Sequence, residues 1–260
     1  MKKLLVCLLA LLLAAAPALG EDLPSWVTDG GDAAREPLEG PGFGSAEEAV
    51  TAYLEAMKNS DLEGMLATFA IETYVDEGDP LAYLTRIKMF FPGSAEGLPT
   101  GDPYLHELAV ACRYADLAKR LCQQYLFFSW PQAYGDFNGG GLVLREESEV
   151  EAFLEALSAS TFSSALAEAE LVEFVDPATL LETYASPANQ ELLAKLQASY
   201  GCDELTDVVA RLDVGGEEWY QCMQCARYGE RWYNLSQSAN IANLLGLNSF
   251  AAGLFFPSGM

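Results

Sequence analysis

Between Asp207 and Ser236 the chain reads DVVARLDVGGEEWYQCMQCARYGERWYNLS, and its hydrophobic spacing drops there to a period of two. Val208, Ala210, Leu212 and Val214 alternate with Val209, Arg211 and Asp213, and Gly215-Gly216 supplies a tight reversal. Glu217 to Tyr228 is then rich in aromatic and sulfur side chains, and a second turn at Tyr228-Gly229-Glu230 leads into Arg231 to Leu235. The spacing predicts a three-stranded antiparallel meander. Such a sheet needs its apolar face covered, and nearly everything upstream carries helical periodicity. The expected fold class is therefore α+β, predominantly helical, with helices packed on a C-terminal curved antiparallel sheet.

Four segments are expected. Residues 1–20 have a basic start (Lys2, Lys3), an apolar run from Leu4 to Ala16 and small residues around Pro17-Ala18-Leu19-Gly20, the pattern of a secretory signal peptide cleaved after Ala18 or Gly20. The run is too short for a membrane span, which needs about 20 residues. Cys7 lies inside it, which argues against a lipid anchor. Residues 21–44, acidic and rich in Gly and Pro, read as a flexible linker. Residues 45–247 form a single α+β domain, and residues 248–260 an apolar C-terminal tail. An exported protein, secreted or held at the cell surface, is the expectation.

Within the domain, Ser45 and Glu48 make a capping box. Ala46, Ala49, Val50, Tyr53, Leu54 and Met57 follow at helical spacing, and a break at Asn59-Ser60-Asp61 separates them from Leu62, Met65, Leu66 and Phe69. A helical hairpin is predicted. This start, SAEEAVTAYLEAMKNSDLEGMLATFA, with the closing strand ERWYNLS, resembles the nuclear transport factor 2-like superfamily, cone-shaped α+β domains whose helices close over a curved sheet. It is also similar to secreted proteins of Gram-positive bacteria that carry such a start behind a signal peptide. The resemblance implies strands soon after the hairpin, whereas this chain continues with helical patterns. Asp79 to Phe91 and a long buried helix over Pro103 to Phe128 come next. Six aromatics in Tyr125–Phe137 read as packing beneath that helix's end, and Asn138 to Gly141 as a loop. A short strand at Leu142–Arg145 and a second capping box at Ser148 and Glu151 follow. Leu171–Val175 reads as a strand, and Asp176-Pro177 and Ser186-Pro187 as two helix starts, the second ending at Gly201.

Charge narrows the partners. The chain holds 14 basic and 38 acidic residues. Loss of Lys2 and Lys3 with the leader takes the basic count from 14 to 12 and the net charge from -24 to -26. A polyanion is repelled by such a chain, so nucleic acid is not expected as a partner. No membrane span is expected in the mature chain.

Chemistry-bearing motifs are few. Cys222-Met-Gln-Cys225 has redox or zinc spacing, yet residues three apart on a strand point to opposite faces, so neither a disulfide between them nor a shared metal is expected. Cys112 and Cys122 stand about 15 Å apart on a straight helix, too far to pair. His106 is the sole histidine. Asp76-Glu77-Gly78-Asp79 reads as a solvated turn. No metal and no cofactor are implied. The sequence points to a non-catalytic module that binds a small apolar ligand, a peptide or a surface protein in an apolar recess between helices and sheet. Trp219, Tyr220, Trp232 and Tyr233 are the candidate wall, at most one of each adjacent pair facing the same side. The resemblance also implies an alternative, a pocket enzyme of isomerase or hydrolase type with a buried carboxylate base. Asp213 is the nearest carboxylate, and Tyr220 or Tyr233 the hydroxyl donor.

Overall fold

The computed structural model describes residues 36–89, 101–134, 143–158, 166–246 and 253–255. The leader, the linker up to residue 35, Phe91, the Asn138–Gly141 loop and most of the tail lie outside the described residues. So do the side chains of residues 126–134, which hold most of the aromatic cluster. Every element below belongs to the unit Leu38–Met260. Helices α1 (Ala46–Lys58), α2 (Leu62–Ala67), α3 (Glu72–Glu77), α4 (Pro80–Ile87), α5 (Pro103–Tyr134) and α6 (Glu147–Ser158) precede strand β1 (Glu170–Val175). Helix α7 (Pro177–Leu180), a 3-10 turn (Glu182–Ala185) and α8 (Pro187–Tyr200) lead into β2 (Glu204–Val214), β3 (Glu217–Tyr228) and β4 (Arg231–Ser236). Helix α9 (Asn240–Leu244) and the short β5 (Leu254–Phe255) follow. The fold is α+β.

The sheet runs β1-β2-β3-β4, all antiparallel, with β5 added to β3 beyond the end of β4. The two hairpin reversals fall at the predicted glycines. Gly215 and Gly216 both take positive φ, 65° and 87°, the backbone that a two-residue hairpin needs. Register across β2 and β3 is unbroken from Glu204↔Arg227 to Val214↔Glu217, so side chains sort cleanly into two faces. Val208, Ala210, Leu212, Trp219, Met223 and Cys225 face α1, α2 and α5, where Tyr53, Met57, Met65, Leu66 and Phe69 complete the main core. The other face carries Val209 and Cys222 under α9 and the 3-10 turn, and Ala226, Tyr233 and Leu235 beside Cys202.

Local sequence explains the helix starts. The Ser45 hydroxyl accepts from the Glu48 amide at 3.1 Å, while the Glu48 carboxylate reaches back to Gly44 N–H at 2.9 Å. Asp79, Asp176 and Ser186 each cap a helix whose first residue is proline. Gly201 closes α8 with φ 66°, and a Cβ there would stand 1.7 Å from the Glu77 carbonyl oxygen, so glycine is needed for both conformation and contact.

Several expectations are corrected. The last residues of the expected linker, Leu38 to Gly44, are docked. Glu39 accepts from the amides of Ile71 and Thr73, and Phe43 exchanges backbone hydrogen bonds with Trp232. Glycine and proline set the linker's composition, but one carboxylate and one bridge are enough to fix it. Helix α4 stops at Ile87 with Lys88 in the left-handed region, short of Phe91. Helix α5 is one-sided along its described side chains: Val110, Leu117 and Leu121 are buried, Tyr104, Leu105 and Leu108 exposed. Residues 143–145 form no strand, and Glu149 rather than Glu151 reaches back to the chain, accepting from the Arg145 and Glu146 amides. The tail enters the sheet, since Leu254 and Phe255 pair with Gln221 and Tyr220.

Candidate functional site

The four aromatics expected to wall a recess do not converge. Trp219 is 4% exposed in the main core, and Trp232 lies half-buried on the same face. Trp232 pairs with Arg227, however, eight positions along β3 from Trp219, roughly 27 Å at about 3.4 Å per residue. Tyr220 and Tyr233 take the opposite face. The Tyr220 hydroxyl donates to Glu218 at 3.1 Å, and Tyr233 packs edge-on against Tyr228 with ring centroids 6.4 Å apart. Between the described helices and sheet a hollow of about 10 Å³ lies beside Leu54, Met57 and Leu212, roughly one water's worth. Large side chains, Tyr53, Phe69, Met57 and Met223 among them, occupy the place of an apolar recess.

A larger hollow, about 220 Å³, opens at the edge of the main core. Its lining is Tyr74 of α3, Arg113, Asp116 and Arg120 of α5, Tyr200 at the end of α8, and Leu235 and Ser236 at the end of β4. Arg113, Asp116 and Arg120 stand at i, i+3 and i+7, so one stripe of α5 presents all three. Arg113 spans from helix to sheet: Nε donates to the Ala70 carbonyl at 3.2 Å and Nη2 to the Leu235 carbonyl at 2.5 Å. The Tyr74 ring covers its guanidinium, with 4.1 Å from the guanidinium carbon to the ring centroid. The Tyr200 ring lies 5.7 Å from that of Tyr74.

Charge is unevenly matched in this cleft. Arg120 donates to Asp116 at 2.9 Å, an i,i+4 pair. No carboxylate among the described residues lies within ion-pair distance of Arg113. Desolvation pulls the Arg113 pKa down, partly offset by the phenols of Tyr74, Tyr228 and Tyr200 and by Asp116. A guanidinium keeps its proton regardless, so a poorly solvated cation faces the hollow. Burial likewise pushes the Tyr200 phenol up to about 12. The sequence carried a signal for Arg113 that the expectations above did not use: it sits three residues after Val110 and four before Leu117, a cation on the buried stripe.

The structure also holds a buried carboxylate, at Asp207 rather than Asp213. Asp213 is an exposed residue near the end of β2 that accepts from the Gly216 amide at 2.8 Å. Asp207 is 4% exposed, and burial raises its pKa to about 6 against the hydrogen bonds that favour the anion. Its Oδ2 accepts from Ile241 N–H at 2.7 Å and its Oδ1 from Gln224 at 3.3 Å, and the Tyr184 hydroxyl is a further partner. Those groups enclose it, and neither hollow described above includes it. Its present role is to cap α9, whose own N-cap residue Ala239 has no side-chain acceptor.

The remaining candidates are engaged structurally. His106 Nε2 lies 2.6 Å from Asp76 Oδ1, joining α5 to α3, and Asp79 caps α4. Cys222 and Cys225 face opposite sides of the sheet as the strand period requires, and both thiols are free. Among the described residues no group of acids, cysteines and histidine is arranged to hold a metal, and no helix is long and apolar enough to cross a membrane.

No protein-family model matches the chain, and no curated protein matches it. Among solved structures, a cystatin-like protein from Ruminococcus gnavus is similar, with a TM-score of 0.42 and 15% identity over 73% of this chain. The match spans 39% of that protein's length.

Proposed function

We propose that this protein is an exported binding module that captures a small anion in the Arg113 cleft without transforming it. One observation carries the reading: a desolvated guanidinium with no carboxylate partner among the described residues opens onto a hollow of about 220 Å³. A buried charge without a counter-charge costs stability, and a ligand that supplies the counter-charge recovers it. The cleft is lined mainly by polar and charged side chains, so an anion fits it better than the apolar ligand expected from the sequence.

The engagement of the described histidine and buried cysteines supports binding over catalysis. The one histidine is held by Asp76. Burial pushes the Cys202 thiol up to about 12 and raises those of Cys222 and Cys225 as well, so none of these is a ready thiolate nucleophile. Asp207 beside the Tyr184 hydroxyl is the feature that favours an enzyme instead. It lies behind the α9 amides, which substrate would have to displace.

Amide-resolved NMR titration with small anions tests the reading. Shifts confined to residues around Tyr74, Arg113 and Ser236, and lost in Arg113→Gln, are expected. Absence of any anion-dependent shift there refutes it. A turnover abolished by Asp207→Asn would replace binding with catalysis. Export rests on the Lys2-Lys3 start and the Leu4–Ala16 run, and intact mass of the secreted protein, beginning at Leu19 or Glu21, checks it.

A further inference from the structure

Resting on that reading of the cleft, we infer that its ligand is a monocarboxylate, gripped end-on by Arg113, and that Asp116 selects against phosphate. Arg113 has donors to spare. A guanidinium has five N–H bonds in a fixed fork. Nε is committed to Ala70 and one Nη2 hydrogen to Leu235. The Nη1 hydrogens and the second Nη2 hydrogen remain, and Nη1 with Nη2 forms the end-on edge that matches the two oxygens of a carboxylate. The two backbone bonds and the Tyr74 ring hold the plane of that fork in place, so little side-chain entropy is lost on binding.

Charge then discriminates among anions. Arg113, Arg120 and Asp116 together contribute one net positive charge, and a monoanion neutralises it. A phosphate dianion would leave excess negative charge beside Asp116, inside a chain whose net charge is -24. Asp116 is held in the cleft by Arg120 at 2.9 Å, so it cannot readily swing away. Size agrees with charge, because about 220 Å³ lies below the roughly 300–1,000 Å³ of pockets for drug-sized ligands. The Tyr74 and Tyr200 rings and Leu235 offer a short apolar strip for a small planar body behind the carboxylate.

The test compares benzoate with inorganic phosphate at about pH 8, where phosphate is chiefly the dianion, by calorimetric titration of the full chain. Benzoate is expected to bind at least ~10-fold more tightly than phosphate, a difference of about 1.4 kcal/mol. Arg113→Lys, which keeps the charge and loses the fork, should weaken benzoate by ~10-fold or more. Asp116→Asn should raise phosphate affinity ~10-fold and raise it by more than benzoate affinity, narrowing the preference between the two, a gain that general damage to the fold would not produce. Phosphate binding as tightly as benzoate in the unaltered chain overturns the carboxylate assignment and leaves the anion cleft standing. Benzoate binding untouched by Arg113→Lys overturns the assignment to this fork. Binding of neither anion removes both this inference and the reading beneath it.

Discussion

Gln124 and Arg113 lie eleven residues apart, three turns along one face of α5, and the two ends of that face solve the same problem differently. At the Gln124 end, Tyr53 donates its hydroxyl to Gln124 Oε1 at 2.6 Å and Gln124 donates to Gln221 at 2.7 Å. These are neutral groups, fully or nearly buried and bonded to one another within the core. At the Arg113 end the group is a cation, its partners are two backbone carbonyls and a ring face, and no described carboxylate lies within ion-pair distance of it. A buried polar cluster that satisfies itself fixes packing, whereas an unmatched charge beside open volume retains capacity for a partner.

The largest test of this contrast concerns the filled core. Trp219→Ala should cost about 3–5 kcal/mol in urea denaturation, the usual range for truncating a buried aromatic. Its neighbour Tyr220→Ala, partly buried against Val209 and Cys222 on the other side of the sheet, should cost about 1 kcal/mol, the ordinary size for a point substitution. Equal losses would contradict the full burial of Trp219 and the partial burial of Tyr220.

A buried charge that does have partners gives the next effect. The folded pKa of Asp207, about 6, is raised above its ordinary value of 3.8. A carboxyl raised in this way favours the folded state most when protonated. Its contribution is complete below about pH 3.8 and is lost as pH rises through about 6. The rise from 3.8 to about 6 corresponds to about 3 kcal/mol. Denaturation at pH 4 and pH 7 should therefore show Asp207→Asn gaining on the unaltered protein by that order as pH rises. An unchanged difference between the two pH values would place the carboxylate in water instead.

Within the neutral network, Tyr53→Phe should cost about 1–3 kcal/mol, since Gln124 Oε1 loses its donor in a site without water access. A loss near zero would mean that the Gln124 end tolerates unpaired groups as readily as the Arg113 end, and the comparison would fail. The smallest effect is expected at His106→Ala. The His106–Asp76 pair is partly exposed, and such pairs contribute at most about 1 kcal/mol.

Much of the architecture was legible locally. The Gly215-Gly216 and Gly229 reversals, the Ser45 box, the Asp176-Pro177 and Ser186-Pro187 starts and the Gly201 stop are each decided by one or two residues whose backbone preference leaves few choices. The opposite faces of Cys222 and Cys225 follow from strand period alone. The aromatic wall failed for a reason of register. Trp219 and Trp232 share a face, as alternation allows, but the hairpin length sets Trp232 of β4 beside Arg227, eight positions along β3 from Trp219. Asp213 was the nearest carboxylate in sequence to the reversal and is therefore solvated by it. Asp207, six residues earlier, is buried by α9, which follows the meander in sequence.

By itself the sequence determined the α+β class, the meander, the helix ends, the strongly acidic character and the scarcity of catalytic residue types, because period, capping and composition act over a few residues or none. Only the tertiary structure decided that large side chains pack between helices and sheet, that Leu38 to Gly44 and Leu254-Phe255 join the fold, and that Arg113 reaches a cleft with no described carboxylate within ion-pair distance of it. Those outcomes depend on volumes and charges supplied by residues dozens of positions apart, such as Ala70, Arg113 and Leu235, and no local pattern encodes which of them will meet.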